Sequence, residues 1–265
     1  MLYLESPIGV FDAGIGSYQA VEKLRRLFPR QDLVYLADRA SFPYGAKSEL
    51  ELTACVESGI ELLAREGCRT VLLASNAPSV MVLEQLRPRL NVPVFGVYPP
   101  IARALQLSRS GGVAVLGVAS MIHSAQMCAY VRAQAGRAHV RLVNASSLVQ
   151  KVEDGSFLSD RPGTRKAVRE FLHRLREEVP GLDVGTLSST HLPWLLPYLE
   201  EAAPEVRWLD PIDEAVRSLE PFCCEGSGNT VCLVTESPQN PYSEFQQILK
   251  RLNLNLTARL VTRPS

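Results

Sequence analysis

The most regular feature of the chain is the alternation of short apolar runs with longer segments whose apolar residues recur every three or four positions. Runs rich in Val, Ile and Leu favour buried strands, and the longer period favours helices with one buried face. Strands that alternate with helices are typical of βαβ units around a parallel sheet. The pattern therefore predicts an α/β fold with strands at Ile8–Phe11, Leu33–Ala37, Thr70–Ala74, Val92–Val97, Val113–Gly117, Val140–Val143, Val184–Leu187, Val206–Leu209 and Val231–Val234.

Two helices are predicted in more detail. From Lys166 to Val179 the apolar residues lie on one helical face. Near the C-terminus, Ser243 and Gln246 have the spacing of a capping box, which predicts a helix that opens at Ser243. The buried stripe of this second helix is expected to comprise Phe245, Ile248, Leu249 and Leu252.

A weak internal repeat relates the two halves of the chain. The run Leu72–Pro78 resembles Thr186–Pro193, because each is an apolar strand followed by hydroxyl and polar residues and then a proline. The openings Ile8–Gly14 and Val113–Val118 also correspond and precede these runs by similar intervals. Chance similarity of short strand ends is the alternative. A genuine repeat predicts two similar α/β domains related by a pseudo-twofold axis, with their strand ends pooled in one cleft.

The first predicted domain is discontinuous in sequence, and the second is continuous. The first comprises residues 1–97 and is completed by residues 208–265, and the second comprises residues 98–207. The length of 265 residues and the 46% content of hydrophobic residues are sufficient for two cores and exclude disorder as the main state.

Charge and cysteine content exclude several classes of function. The 28 basic and 28 acidic side chains cancel, so a nucleic-acid partner is not expected. No run reaches the about 18 apolar residues of a spanning helix, and Glu5 stands where a signal peptide needs a basic start and an apolar run, so we expect a cytoplasmic protein without membrane contact. The six cysteines match no disulfide or zinc spacing, which predicts free thiols and no metal site.

Polar residues at predicted strand ends are the candidates for chemistry. Asp12 precedes the loop Ala13–Ser17, and Gln19 replaces the third glycine of a dinucleotide fingerprint. Asp12 is either a turn carboxylate or an acid, a base or an acceptor for a ligand ammonium group. His191 is either an acid or base titrating near neutral pH or an N-terminal residue of the helix that continues through Pro193 to Leu199. The tract Asp38–Gly45 is either a ligand-binding loop or a connector.

Taken in order, these motifs resemble the cofactor-independent aspartate/glutamate racemase superfamily, and within it the glutamate racemase family. The resemblance covers nearly the whole chain. Family motifs correspond here to Asp12–Ser17, Asp38 with Pro43–Gly45, Ala74–Pro78, Val113–Ser124, Val152–Gly155 and Ser188–Pro193. By this resemblance the catalytic candidates are Ser75, Ser189, Asp12, His191 and Glu153, and the substrate-binding candidates are Ala13, Tyr44, Gly45, Asn76, Ala77 and Thr190.

Serine stands at both positions where glutamate racemases carry a catalytic cysteine, namely Ser75 and Ser189. In that family one thiolate removes the Cα proton and a thiol on the opposite face donates one. A thiol has a reference pKa near 8.5; if an alcohol lies about five pKa units higher, forming its anion costs about 7 kcal/mol more, or about five orders of magnitude in rate. The pocket lining departs from the family as well, at Ala13, Ala77, Pro78, Val118 and Met121.

The resemblance thus implies an isomerase-type fold, related to enzymes of cell wall biogenesis, that needs no cofactor and binds a small amino acid or carboxylate. Conventional two-thiol racemisation is expected to be absent or very low, as in a pseudoenzyme, and a homodimer is a possible assembly. Two alternatives stay open. Ser75 or Ser189 acts with His191 in isomerase, lyase or hydrolase chemistry, although no G-x-S-x-G elbow is present, or the chain is a non-catalytic binding or regulatory protein.

Overall fold

The computed structural model describes residues 4–254 and 256–262. The chain divides into two compact units, one formed by the residues up to Val97 together with those from Ile212 onward, and the other by Tyr98–Pro211. Each unit has its own parallel sheet flanked by helices. The predicted α/β architecture is confirmed.

Strand positions follow the apolar runs closely. Each of the nine predicted strands is present with ends shifted by at most two residues, and Ala258–Leu260 forms a further short strand that the pattern did not predict. The strands are β1 (Ile8–Asp12), β2 (Leu33–Asp38), β3 (Thr70–Leu73), β4 (Val94–Gly96), β5 (Gly112–Gly117), β6 (Val140–Asn144), β7 (Leu182–Leu187), β8 (Arg207–Leu209), β9 (Thr230–Thr235) and β10 (Ala258–Leu260).

Helices connect these strands in both units. The α-helices are α1 (Tyr18–Leu27), α2 (Glu49–Arg65), α3 (Asn76–Pro78), α4 (Glu84–Leu86), α5 (Ile101–Leu107), α6 (Ala119–Ile122), α7 (Ala125–Ala135), α8 (Ser146–Glu153), α9 (Ser156–Ser159), α10 (Arg161–Glu178), α11 (Leu196–Ala202), α12 (Ile212–Ser218) and α13 (Tyr242–Arg251). A π-helical turn, Ser79–Leu83, joins α3 to α4, and 3-10 turns lie at Ile15–Ser17, Arg39–Ser41, Tyr44–Ala46, Arg87–Arg89, Leu192–Leu195 and Glu220–Phe222. Among the described residues, no helix combines the length and the apolar run needed to cross a membrane.

The two sheets share a core topology. The first has the strand order β10-β9-β2-β1-β3-β4 and the second β6-β5-β7-β8, all parallel. The order β2-β1-β3-β4 is therefore repeated by β6-β5-β7-β8, which supports the internal repeat inferred from the sequence. Burial follows position in the sheet. The central strands β1 and β5 are buried along their whole length because helices cover both faces, whereas the edge strands β6, β8 and β10 are partly exposed.

Helix α10 begins five residues before the predicted Lys166. The carboxylate of Asp160 accepts a 3.0 Å hydrogen bond from the backbone N–H of Gly163, and Pro162 lies in the first turn, so the start is well capped. The predicted apolar face of this helix is buried.

The predicted capping box at Ser243 and Gln246 is wrong. Helix α13 begins at Tyr242, whose backbone N–H is satisfied by the carboxylate of Glu236 at 2.9 Å. Pro241 precedes the helix in an extended conformation. Ser243 therefore lies within the first turn. Phe245 and Leu249 are buried as expected, and Ile248 and Leu252 pack against the same core less completely.

Helix α2 packs closely on β1. A Cβ atom at Gly59 would lie 2.3 Å from Cζ of the fully buried Phe11 ring. Glycine at this position therefore lets the helix approach the central strand of the first sheet.

We expect Gly59→Ala to lower the free energy of unfolding. Overpacking typically costs about 1–3 kcal/mol, which outweighs the about 1 kcal/mol that alanine gains over glycine in helix propensity. Urea denaturation measures the difference. The matched control is Ser58→Ala on the same helix, which removes a buried hydroxyl without a hydrogen-bond partner and should be neutral or stabilising. Equal stability of Gly59→Ala and the native chain would contradict this packing.

Candidate active site

Asp12 is the last residue of β1, and its side chain is 3% exposed. The loop that follows is held by β2, because the hydroxyl of Tyr35 donates a 2.8 Å hydrogen bond to the carbonyl of Gly14. Ser17 donates to the same carbonyl at 3.2 Å. Burial raises the pKa of Tyr35 well above its usual value, so the phenol stays a neutral donor. Asp12 thus precedes a loop of fixed shape at the carboxyl end of a central strand.

Tyr44 lies in the loop after β2 and is bound to the end of that strand. Its hydroxyl donates to Oδ2 of Asp38 at 2.9 Å, while Oδ1 accepts from the hydroxyl of Thr235 at 2.7 Å. Burial, followed by the negative charge of Asp12, raises the pKa of Tyr44 well above its usual value, so it also remains a donor. Gly45 is exposed. Thr235 was missed by the sequence analysis, and its only signal was a hydroxyl residue directly after a predicted strand.

The segment Ser75–Ala77 follows β3 and is nearly buried. The backbone N–H of Ala74 donates to the carbonyl of Phe11 at 2.8 Å, so the hydrogen bonding between β3 and β1 continues one residue beyond β3. Ser75 is the next residue. It therefore emerges at the same sheet edge at which Asp12 ends β1.

A serine and an asparagine hold this turn in place. The hydroxyl of Ser79 donates to the carbonyl of Ser75 at 2.6 Å and accepts from the backbone N–H of Val97 at 2.9 Å. Asn76 Nδ2 donates to the carbonyl of Val97 at 3.2 Å. The predicted substrate contact Asn76 thus has its amide nitrogen bound to the backbone. A π-helical turn follows directly, a feature that is frequent at functional sites.

The second unit repeats this strand end. The backbone N–H of Ser188 donates to the carbonyl of Leu116 at 2.8 Å, so the hydrogen bonding between β7 and β5 also continues one residue beyond the strand. Ser189 therefore holds the same place in the second unit that Ser75 holds in the first. Gly117, the last residue of β5, holds the place of Asp12 and supplies no carboxylate. Ser189 and Thr190 are both nearly buried.

The structure brings together two of the predicted acid/base residues, Glu153 and His191. Oε1 of Glu153 contacts Nε2 of His191, and both side chains are 11% exposed. Glu153 is the last residue of α8, and Gly155 then adopts the left-handed conformation (φ 72°), which glycine accommodates without strain. His191 also precedes the 3-10 turn Leu192–Leu195 as its cap residue, so it occupies the helix-start position considered as the alternative.

Aromatic residues connect the two segments that carry this pair. The rings of Phe157 and Trp194 meet edge to face with centroids 6.0 Å apart. The hydroxyl of Tyr198 donates to the carbonyl of Phe157 at 2.7 Å. Phe157 lies four residues after Glu153, and Trp194 lies three residues after His191. These contacts fix the segment that carries Glu153 relative to the segment that carries His191.

Apolar side chains occupy the loop after β5. Met121 is completely buried, and its methyl group would lie 2.4 Å from a Cβ at Gly117. Val118 precedes α6. The resemblance places these two residues where glutamate racemases hold the substrate carboxylate with threonines. Neither side chain offers a hydrogen-bond donor, so this loop lacks hydroxyl donors at both positions.

None of the six cysteines stands at either serine position. All six are free thiols, and Cys55 on α2 donates from Sγ to the hydroxyl of Ser41 at 3.3 Å. Burial raises the pKa of Cys232 to about 12 and of Cys223 to about 11, so both remain thiols at neutral pH. Within the described ranges, no three His, Cys, Asp or Glu side chains come together to hold a metal ion.

Residues 16–219 match the family of Asp/Glu/Hydantoin racemases. Glutamate racemase from Deinococcus radiodurans is 36% identical over 191 residues, which are 71% of this chain but only 64% of that protein. Glutamate racemase from Roseiflexus sp. is 32% identical over 261 residues, covering 94% of this chain and 92% of the relative. The crystal structure of glutamate racemase from Thermus thermophilus, in complex with beta-chloro-D-alanine, has a TM-score of 0.80 at 30% identity, over 97% of each chain.

Removing either partner of the Glu153–His191 pair should lower stability through the same contact. Glu153→Ala and His191→Ala are each expected to cost about 1–3 kcal/mol, because the remaining nearly buried polar group loses its partner. The double variant should cost less than the sum, with a coupling energy of about 0.5–3 kcal/mol in urea denaturation. Glu200→Ala, which truncates an exposed acid in the same unit, is the control and should change stability by less than about 0.5 kcal/mol. Strictly additive losses would refute the contact.

Proposed function

Because the chain belongs to the Asp/Glu/Hydantoin racemase family, we propose that it is a glutamate-racemase-like protein that binds a small amino acid or carboxylate and lacks effective two-thiol racemisation. The observation that carries the proposal is the equivalence of Ser75 and Ser189. Each is the first residue after the last hydrogen bond between the corresponding central strands of its unit. By the resemblance stated above, both positions hold cysteine in glutamate racemases.

The surroundings of the two serines do not make their hydroxyl groups as acidic as the thiols of cysteines at the same positions. Forming an alkoxide in place of a thiolate costs about 7 kcal/mol for a difference of about five pKa units. Ser75 precedes a helical segment, but a helix N-terminus stabilises an anion by about 0.3–1 kcal/mol, and by about 2 kcal/mol at best. The remaining deficit corresponds to three or more orders of magnitude in rate.

The arrangement of His191 also argues against a serine nucleophile. Its Nε2 faces the carboxylate of Glu153. Among the described residues, the hydroxyl of Ser189 makes no hydrogen bond to the imidazole. A nucleophile and its base are normally within hydrogen-bond reach of one another, so the hydrolase-like alternative has less support than the binding function.

The remaining polar groups suit recognition of a small zwitterion. We assign Asp12 as the acceptor for a ligand ammonium group, and Tyr44 and Asn76 as neutral side chains beside it. In the second unit, the Glu153–His191 pair is assigned as the group that contacts a polar part of a ligand. Val118 and Met121 remove the hydroxyl contacts to a carboxylate, so glutamate itself should bind more weakly than it does to a glutamate racemase.

Hydrogen–deuterium exchange at Cα in heavy water tests the chemistry. The native chain should exchange D- or L-glutamate no faster than buffer alone. Ser75→Cys with Ser189→Cys restores two thiols and should raise the exchange rate, because each thiolate is more accessible than an alkoxide by about five pKa units. Ser147→Cys adds an exposed thiol elsewhere in the second unit and serves as the control. Brisk exchange by the native serines, or no gain in the double variant, would refute the proton-affinity argument.

A thermal-shift screen of D- and L-amino acids and dicarboxylates tests the ligand class. A ligand present at 100 times its dissociation constant should stabilise the native chain by about 2.7 kcal/mol. Asp12→Asn should reduce the shift caused by amino acids and leave the shift caused by dicarboxylates without an ammonium group nearly unchanged, because only the ammonium group is assigned to Asp12. A complete absence of shifts would contradict the binding function, whatever the outcome of the exchange assay.

A further inference from the structure

A pocket of about 310 Å³ lies on the second unit, and residues that closely follow Glu153 and His191 in the sequence contribute to its lining. It is formed by α9, the first turns of α10, the 3-10 turn Leu192–Leu195 and α11. Three aromatic side chains and three charged ones line it: Phe157, Trp194, Tyr198, Arg161, Arg165 and Glu201. The volume is at the lower end of the range of about 300–1,000 Å³ found for small-molecule sites.

The aromatic part of the lining is rigid. Phe157 and Trp194 pack edge to face, and the hydroxyl of Tyr198 is bound to the carbonyl of Phe157. Leu158 adds an exposed apolar side chain to the rim. Aromatic rings of this kind prefer offset-stacked or edge-to-face contacts with another ring. The wall therefore favours a planar ring over a flexible aliphatic chain.

The charged part of the lining carries an excess of positive charge. Glu201 is shared by two arginines, with Arg165 Nε at 3.0 Å and Arg169 Nη2 at 3.5 Å. Arg161 is exposed, and it makes no ion pair within the part of the chain that the structure describes. A planar guanidinium with open donors suits a phosphate or carboxylate, which it binds in a bidentate manner.

We propose that this pocket binds a small aromatic anion, in which one planar ring lies against Phe157, Trp194 and Tyr198 and a phosphate or carboxylate pairs with Arg161. Nothing in the racemase chemistry of the family requires such a ligand. The binding itself is independent of the proposed function.

Binding in this pocket is expected to affect the acid/base pair. Phe157 lies four residues after Glu153, across the left-handed turn at Gly155, and Trp194 lies in the 3-10 turn that His191 caps. A ring inserted against Phe157 and Trp194 therefore acts on both segments. This regulatory part of the inference rests on the proposed function, because it assigns the Glu153–His191 pair to the ligand site.

Tryptophan fluorescence tests the binding. The chain has two tryptophans, so Trp208→Phe leaves Trp194 as the only reporter. Phenyl phosphate or benzoate should change the fluorescence saturably, with a dissociation constant on the order of 1 mM for so small a ligand. Inorganic phosphate, which lacks the ring, and benzyl alcohol, which lacks the charge, should each bind about tenfold more weakly or not at all. Response to only one of the two anions identifies which anionic group the site accepts.

Matched charge variants locate the site. Arg161→Gln should weaken binding of phenyl phosphate about tenfold, because one charge-assisted contact is lost. Arg137→Gln removes an exposed arginine elsewhere in the same unit and should leave binding unchanged. Saturable binding that Arg161→Gln does not alter, or equal binding of benzyl alcohol, would overturn the proposal.

Imidazole NMR signals test the coupling. Phenyl phosphate should shift the signal of His191 and leave those of the exposed His123, His139 and His173 in place. An unchanged His191 signal at saturation would overturn the coupling and leave the binding result intact. Failure of the amino-acid screen would refute the proposed function without affecting the phenyl phosphate titration, so the two failures are distinguishable.

Discussion

The positions of Ser75 and Ser189 depend on one kind of contact, the hydrogen bond that extends a central pair of parallel strands by one residue. Ala74 makes it to Phe11 in the first unit, and Ser188 makes it to Leu116 in the second. Because parallel strands end at a common sheet edge, this extension fixes where the next side chain emerges. The two serines therefore occupy equivalent backbone positions, and the difference between the units lies in the side chains around them.

That equivalence makes the chemical identity of the two residues decisive. Either residue can take part in proton transfer only if its side chain ionises readily. Oxygen at both positions raises the cost of ionisation by several kcal/mol, more than a helix end contributes. The first unit carries a carboxylate at its strand end, and the second carries a carboxylate–imidazole pair. The proposed function is therefore recognition of a polar ligand and not proton abstraction from it.

The architecture was predictable from the sequence because buried parallel strands have short, nearly continuous runs of apolar residues. The sequence pattern missed β10 because three residues at a partly exposed edge carry no such run. It placed a capping box at Ser243, whereas the same residue spacing at Ser48 and Glu51 forms a real one, with Ser48 N–H donating to Glu51 at 2.8 Å. Pro241 starts the later helix early, and spacing alone does not reveal this.

Less of the candidate site than of the fold was predictable from the sequence. Strand ends identified Asp12 and His191 as candidates, but the contact between Glu153 and His191 joins residues 38 positions apart and depends on the left-handed turn at Gly155. The hydrogen bond that the Thr235 hydroxyl donates to Asp38 joins residues 197 positions apart. During synthesis, the segment that ends with Asp38 leaves the ribosome long before β9 exists, so this aspartate obtains its second donor only when the returning chain adds β9 beside β2. Final alignment of the Tyr44 loop is therefore expected to follow the addition of β9 to the sheet.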